Sequence, residues 1–301
     1  MAKKGFDVTV FEALHEIGGV LKYGIPEFRL PNAIVDVEIE NLQKMGVKFI
    51  TDCIVGKTIS VKNLEEQGFR GFFIGSGAGL PNFMNIPGEN ALNIMSSNEY
   101  LTRVNLMDAA NPHTDTPINL GKKVVVVGGG NTAMDSCRTA KRLGAEVTLV
   151  YRRSEAEMPA RLEEVKHAKE EGINFMTLHN PKEYEADEKG AVKAVVLDVM
   201  QLGEPDASGR RRPEATGETI TLECDQVIVA VGVSPNPLVP QSIEGLELGR
   251  KNTIAVNDQM QSSIEEIYAG GDIVRGGATV ILAMGDGRKA ALNMSEKLLK
   301  K

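Results

Sequence analysis

The sequence predicts an α/β protein made of two related domains with parallel sheets, and three observations carry that prediction. The first is the run Lys123-Val-Val-Val-Val-Gly128-Gly-Gly130-Asn-Thr-Ala133, in which four consecutive valines enter a glycine turn. The second is a partial internal repeat: Gly5-Phe-Asp-Val8-Thr-Val-Phe11 lies over Gly144-Ala-Glu-Val147-Thr-Leu-Val150, an offset of 139 (147 minus 8). The third is composition. A length of 301 residues, 42% hydrophobic with 31 glycines, accommodates two domains of ordinary size joined by many tight turns.

The valine run is apolar on both faces, as a strand buried between two layers must be. A helix is expected from about Thr132 to Leu143, ended by Gly144, with a second strand over Val147–Val150; together these complete a βαβ unit. Gly128, Gly130 and Ala133 match G-x-G-x-x-G/A. In that spacing the first residue makes the tight turn, the second lets a pyrophosphate approach the backbone, and the third lets helix and strand pack closely. The helix N-terminus adds free N–H groups and the positive end of its dipole. The side chains after the second strand then select the ribose. An acid would hold a 2′-hydroxyl, whereas Arg152 and Arg153 offer planar guanidinium groups suited to a 2′-phosphate, so the site reads as one for NADP(H) rather than NAD(H). The alternative for these arginines is a solvated surface pair.

The remaining elements follow from the repeat. A second pair, Phe73-Ile-Gly-Ser-Gly77 with Pro81-Asn82 and Val229-Ala-Val-Gly232 with Pro235-Asn236, shows a strand running into a glycine turn in each half. The chain therefore reads as two Rossmann-like dinucleotide-binding domains. Projected back by the same offset, the first copy's glycine loop would lie before Met1. Its acid remains: Glu12 follows the strand Val8–Phe11, where a carboxylate suits an unphosphorylated ribose such as that of FAD, or is a plain surface glutamate. Gly18-Gly19 to Pro31 reads as a loop, Ala33–Met45 as a helix closed by Gly46, and Val47–Ile50 as a strand. Asn98–Leu106 is expected to be helical, and Asn111–Pro117 a linker. A charged helix over Arg161–Glu171 carries His167, which has no partner at metal-ligand spacing. Strands over Val192–Gln201 and Thr219–Leu222 flank a polar hairpin segment, Gly203–Pro213. Near the end, Ile267-Tyr-Ala-Gly-Gly271-Asp272 is a strand turning into an acid before a helix that opens at Ala278-Thr279-Val280 and runs to about Leu299. A carboxylate there can accept a bond from a ribityl hydroxyl, and the helix end can stabilise a reduced flavin; the bland alternative is a β-turn before an ordinary helix.

Composition narrows the class further. A net charge of −7 argues against general nucleic-acid binding, and no apolar run is long enough to span a membrane. No signal peptide is read after Met1. Cys53, Cys137 and Cys224 are scattered and odd in number, which points to a reducing compartment, the cytoplasm by default. No Cys-x-x-Cys is present, so the dithiol chemistry of disulfide reductases is excluded.

The blocks Gly19–Pro31, Gly77–Pro81, Ile86–Glu89, Gly128–Asp135, Tyr151–Arg161 and Ala269–Asp272 together closely resemble the small subunit of NADPH-dependent glutamate synthase. They also resemble the NADPH-binding flavoprotein subunit of ferredoxin:NADP oxidoreductases, which is similar in the same blocks. The resemblance spans essentially the whole chain. It implies an FAD/NAD(P)-binding fold with the NADPH domain inserted in the FAD domain: residues 1–115 and 237–301 for FAD, residues 116–236 for NADPH. It implies FAD held by Glu12, Gly19, Leu21, Tyr23, Gly77, Gly271, Asp272, Thr279 and Val280, and NADPH by Gly128, Gly130, Asn131, Thr132, Ala133, Arg152 and Arg153. No side chain is implied as a catalytic acid, base or nucleophile. The activity implied is electron transfer from NADPH through FAD to an iron–sulfur acceptor, on the glutamate synthase large subunit or a ferredoxin-type partner. Members of that family also carry an N-terminal region whose cysteines hold two iron–sulfur clusters, followed by the first glycine loop. Neither is found in this sequence, and three isolated cysteines are too few for a cluster, which takes about four thiolates. The alternative expectation is therefore a flavin-free NADP(H)-binding module without turnover.

Overall fold

A computed structural model describes residues 1–207 and 209–300. In chain order its principal elements begin with β1 (Thr9–Phe11), α1 (Asn32–Lys44), β2 (Lys48–Ile50), β3 (Phe72–Ile74) and β4 (Ile94–Ser96). There follow β5 (Lys123–Val127), α2 (Asn131–Arg142), β6 (Glu146–Tyr151), α3 (Leu162–Glu170) and β7 (Asn174–Thr177). The antiparallel strands β8 (His179–Ala186), β9 (Val192–Pro205) and β10 (Arg211–Glu223) come next, then β11 (Gln226–Val229), β12 (Ile267–Ala269) and α4 (Val280–Lys300). The chain divides into two compact units, one made of 1–19, 32–80 and 233–301, the other of 20–31 and 81–232.

The second unit is built on a five-stranded sheet ordered β4-β11-β5-β6-β7, every neighbour parallel. The four valines of β5 are 0–4% exposed and divide by parity, as the two-residue period of a strand requires. Val124 and Val126 face α2 and α3, where Ala133, Met134, Cys137, Val165 and Ala168 pack on them. Val125 and Val127 face the other way, against Tyr184, Val195 and Leu197 of the three-stranded sheet β10-β9-β8. A strand covered on both sides has no room for polar residues, which is why this run reads as continuous valine.

Residues 81–115, expected with the first domain, belong to this unit, and the reason is packing. β4 pairs with β11, and Tyr100 and Leu101, at 1% and 0% exposure, sit in the same core as Val124 and Met134. The helix expected over Asn98–Leu106 is an α-helix at Ser97–Leu101 that continues as a π-helical turn over Thr102–Leu106. The hairpin loop is shorter than expected, because β9 and β10 stay paired, through two register shifts, out to Leu202–Pro213 and Pro205–Arg211. Ser208, within the segment Gly203–Pro213, lies outside the described residues.

The first unit contains two parallel pairs, β1–β2 and β3–β12. The internal repeat is visible in these pairings: β1 and β6 are equivalent second strands, each paired with the next strand of its unit, β2 or β7. β3 and β11 are the equivalent strands entering a glycine turn, each with an outer parallel neighbour, β12 or β4. In the second unit β5 stands between β11 and β6; among the described residues no strand links β3 to β1. Val10 and Phe73, on those two strands, are accordingly 37% and 45% exposed. The core of this unit is formed by Ile74, Ile254, Ile267, Ala269 and Ile273, with Tyr268, Ala290 and Met294 on the α4 side.

Candidate dinucleotide site

β5 delivers the chain to Gly128, whose backbone has φ +143° and whose N–H donates to the Val150 carbonyl at 2.9 Å. A Cβ on Gly128 would lie 2.3 Å from the carbonyl oxygen of Ala230, so the turn excludes any side chain there. A Cβ on Gly129 would meet the ring of Tyr151 at 2.6 Å. Gly130 differs from both. It caps α2 with no side-chain hydrogen bond, and a Cβ there would meet no protein atom within 4 Å. The glycine thus opens space directly over the helix start, where the first N–H groups have no intrahelical acceptor. Ala133, 0% exposed, packs α2 tightly on the sheet, while Thr132 is exposed.

Asn131 does structural work that the sequence pattern does not reveal. Its Oδ1 accepts from the Arg161 N–H at 2.9 Å, and the Gly129 carbonyl accepts from the Ala160 N–H at 3.1 Å. The segment Met158–Arg161 is thereby fastened to the glycine turn, which makes Ala160 and Arg161 neighbours of the site. Their signal in the sequence was the Tyr151–Arg161 block.

Beyond β6, Arg152 is exposed and Arg153 is not. The Arg153 side chain is 13% exposed, and its Nη2 lies 3.9 Å from Glu157 Oε1. Its Nε is buried without a hydrogen-bond partner. A buried donor left unpaired costs free energy, and a phosphate oxygen is the acceptor a guanidinium fits best. Glu157 is itself occupied, accepting from the Ser154 N–H at 3.0 Å and from its hydroxyl in a capping box. The open space at Gly130 and the unpaired Nε of Arg153 fit a phosphorylated dinucleotide.

The residues implied for FAD fall in both units. In the first, Glu12 directly follows β1 and its Oε1 accepts from the Leu14 N–H at 2.9 Å. Gly19 and Gly77 have φ +52° and +70°, with open space where a Cβ would stand. Asp272 accepts from the Ala278 N–H at 3.0 Å, and burial pushes its carboxyl above the ordinary value. Thr279 caps α4, its carbonyl accepting from the Ala283 N–H at 3.1 Å, and Val280 is 41% exposed. Leu21 and Tyr23 lie in the second unit, on the helical turn Val20–Tyr23, where the Tyr23 carbonyl accepts from Asn105 Nδ2 at 3.2 Å. Two carboxylates at strand ends and an exposed helix start provide the acceptors and dipole that suit a flavin's hydroxyls and ring.

One residue near this group escaped the sequence reading. Asp286 on α4 is buried, accepts from the Gly271 N–H at 3.0 Å and pairs with Arg275 at 2.6 and 2.7 Å. The Arg275 guanidinium holds its carboxyl below the usual carboxylate range. Gly271 has φ +75° and ψ −150°, a backbone that favours glycine, and Asp286 holds it immediately before Asp272. A single Asp inside an amphipathic helix gives no sequence signal for such a contact.

Comparison with known proteins follows the same lines. The profile of the pyridine nucleotide-disulphide oxidoreductase family matches residues 1–287. The chain is 36% identical over 303 residues to a putative glutamate synthase [NADPH] small chain of Cereibacter sphaeroides, covering 99% of this chain and 73% of that one. It is 39% identical over 304 residues to the NADP(+)-dependent formate dehydrogenase subunit beta of Moorella thermoacetica, covering 99% of this chain but 41% of that one. Other relatives are longer still: the chain covers 27% of the putative oxidoreductase YgfK of Escherichia coli. Among solved structures, Mycobacterium tuberculosis FprA in complex with NADPH superposes with a TM-score of 0.81 at 19% identity, over 98% of this chain and 78% of that one. That likeness is one of fold, and it bears out the two Rossmann-like domains. The resemblance to glutamate synthase small subunits is borne out as well, and the match over residues 1–287 means that the chain belongs to the pyridine nucleotide-disulphide oxidoreductase family.

Proposed function

We propose that this chain is an NADPH-dependent flavin oxidoreductase that holds NADPH and FAD, with the NADPH residues in the second unit and Glu12, Gly19, Gly77, Gly271, Asp272, Thr279 and Val280 of the flavin set in the first. Electrons leave for an iron–sulfur or other acceptor on a partner. The observation that carries the reading is the pairing of open space at Gly130 with the unpaired, buried Nε of Arg153. Gly128, Gly130, Asn131, Thr132 and Ala133 supply the turn and helix start for the pyrophosphate. Arg152 and Arg153 supply the charge for the 2′-phosphate. Glu12, Gly19, Leu21, Tyr23, Gly77, Gly271, Asp272, Thr279 and Val280 receive the flavin. When bound, the two cofactors supply hydride transfer from the nicotinamide to the flavin and single electrons onward. The protein's part is to bind and orient, so no side chain is assigned as acid, base or nucleophile.

Relatives named as a small chain and as a subunit beta support a partner chain for this one. The acceptor is proposed to be a glutamate synthase large subunit or a ferredoxin-type protein, in the cytoplasm. A net charge of −7 runs against nucleic acid as partner, and no described helix is long and apolar enough to cross a membrane. The three cysteines are each buried and free, and none is assigned a part in the reaction.

A second reading rests on the first unit, where among the described residues β3 and β1 are not joined by a counterpart of β5. On that reading the chain binds NADP(H) without flavin and does not turn over. The visible spectrum of the purified protein separates the two. Flavin bands that bleach on adding NADPH support the oxidoreductase, and a colourless protein that still binds NADPH sinks it in favour of the module.

A further inference from the structure

The segment 20–31 belongs to the second unit although both its flanks belong to the first, and Arg29 is among the residues that fasten it there, beside Tyr23 and Phe28. Arg29 Nη1 lies 2.6 and 2.7 Å from the two carboxylate oxygens of Asp135, and its Nε lies 3.2 Å from Glu164 Oε1. Asp135 is on α2, one helical turn after Asn131, and is 4% exposed. Other charges surround the pair. On α2 itself, Arg138 is committed to Glu164 at 2.7 Å and to Glu171 at 3.0 Å, and Arg142 to Glu171 at 2.9 Å. Phe28 lies against both of those arginines, its ring 4.7 Å and 4.1 Å from their guanidinium carbons. The neighbouring Cys137 thiol, fully buried, is pushed far up by that burial and stays neutral. Three cations thus face three anions. Without Arg29 the cluster holds an excess negative charge, and it falls on Asp135.

We propose that Arg29 is a positioning residue for the dinucleotide. By pairing with Asp135 it cancels a buried negative charge that α2 would otherwise carry about one turn below its phosphate-facing end, roughly 6 Å along the helix. The inference rests on the NADPH reading and extends it to a residue outside the glycine turn. A carboxylate at that depth opposes both the helix dipole and the incoming phosphates, and at an effective dielectric between protein and water it weakens binding by about tenfold or more. Burial is the larger influence on Asp135, raising its carboxyl to about 6 even against the pull of Arg29. Removing Arg29 moves that titration higher still, because the guanidinium is what pulls it down.

The test is NADPH affinity, read by cofactor fluorescence on the full chain between pH 7 and 9, above the second ionisation of the 2′-phosphate at about 6. The wild-type protein should give a nearly flat profile. R29A should lose affinity progressively as pH rises and Asp135 ionises unpaired, by about tenfold at pH 9. R29A/D135N should regain near wild-type affinity at every pH, because the offending charge is gone although the tether is still missing. A purely mechanical strap predicts the opposite, a double variant as weak as R29A and independent of pH, and that result would overturn the proposal. D135N alone, which leaves Arg29 unbalanced, should bind NADPH several-fold more tightly; equal or weaker binding also counts against it, even where R29A fails to fold. A wild-type protein that binds no NADPH at any pH would instead refute the cofactor reading, and this inference with it.

Discussion

Gly130 and Gly128 occupy the same turn two residues apart, yet the structure assigns them opposite sensitivities. A Cβ at Gly130 meets no protein atom within 4 Å, and its φ of −92° is ordinary for alanine. The cost to folding of Gly130→Ala is the loss of a favourable cap residue, about 0.5–1 kcal/mol. That corresponds to a fall in Tm of roughly 1–4 °C for a domain of 150–250 residues. The added methyl occupies the space assigned to the pyrophosphate, and NADPH affinity should fall by about ten- to hundredfold, or ~1.4–2.8 kcal/mol. Gly128→Ala is the contrasting change. Its Cβ would stand 2.3 Å from a backbone oxygen at φ +143°, so the strand end must move, at a cost of about 3 kcal/mol or more. The assay is a thermal melt of each variant without cofactor beside a fluorescence titration with NADPH. If Gly130→Ala binds NADPH like the wild-type protein, or melts as low as Gly128→Ala, then the open space at Gly130 is not the pyrophosphate's and the reasoning fails.

Two further outcomes are expected. Replacing Arg152 and Arg153 together with alanine should weaken NADPH by at least about tenfold, one charge-assisted bond being worth ~1.5–3 kcal/mol, and leave NADH nearly unchanged; equal losses would remove the case for 2′-phosphate recognition. Asp286→Asn should lower Tm by roughly 5 °C at neutral pH, since Arg275 and the Gly271 N–H lose an ionised acceptor. The pH sign follows from the lowered carboxyl of Asp286. Its contribution is present above the unfolded aspartate value, near 3.9, and is lost as pH falls through the folded one. Melts of the two proteins should therefore converge in acid, and a constant gap down to the lowest pH at which they fold would contradict the assignment.

The glycine turn, its helix and the two flanking strands were legible in the sequence because each depends on short-range chemistry. Four valines in a row admit a doubly covered strand, and Gly128 and Gly130 mark where a side chain cannot or need not stand. The structure moved α2 by one residue, to Asn131–Arg142, and widened the second strand to Glu146–Tyr151. Less was legible where partners are distant. β8, His179–Ala186, went unread because only Pro181 and Tyr184 along it are buried, so it shows no regular alternation. The boundary near residue 116 came from a proline-bearing linker, whereas Tyr100 and Leu101 had already entered the second core.

The candidate site divides in the same way. By itself the sequence located the glycine turn, the pair of arginines after β6 and the acids Glu12 and Asp272 as candidates, since each is defined by its distance along the chain from a strand end. Only the tertiary structure decided that Arg153, and not the exposed Arg152, carries a buried Nε with no hydrogen-bond partner. Only the structure joined Arg29 to Asp135, 106 residues apart, and Asp286 to the turn before Asp272. Those contacts depend on which surfaces are shielded from water. Burial is a property of the packed chain as a whole and leaves no mark at a fixed spacing in sequence.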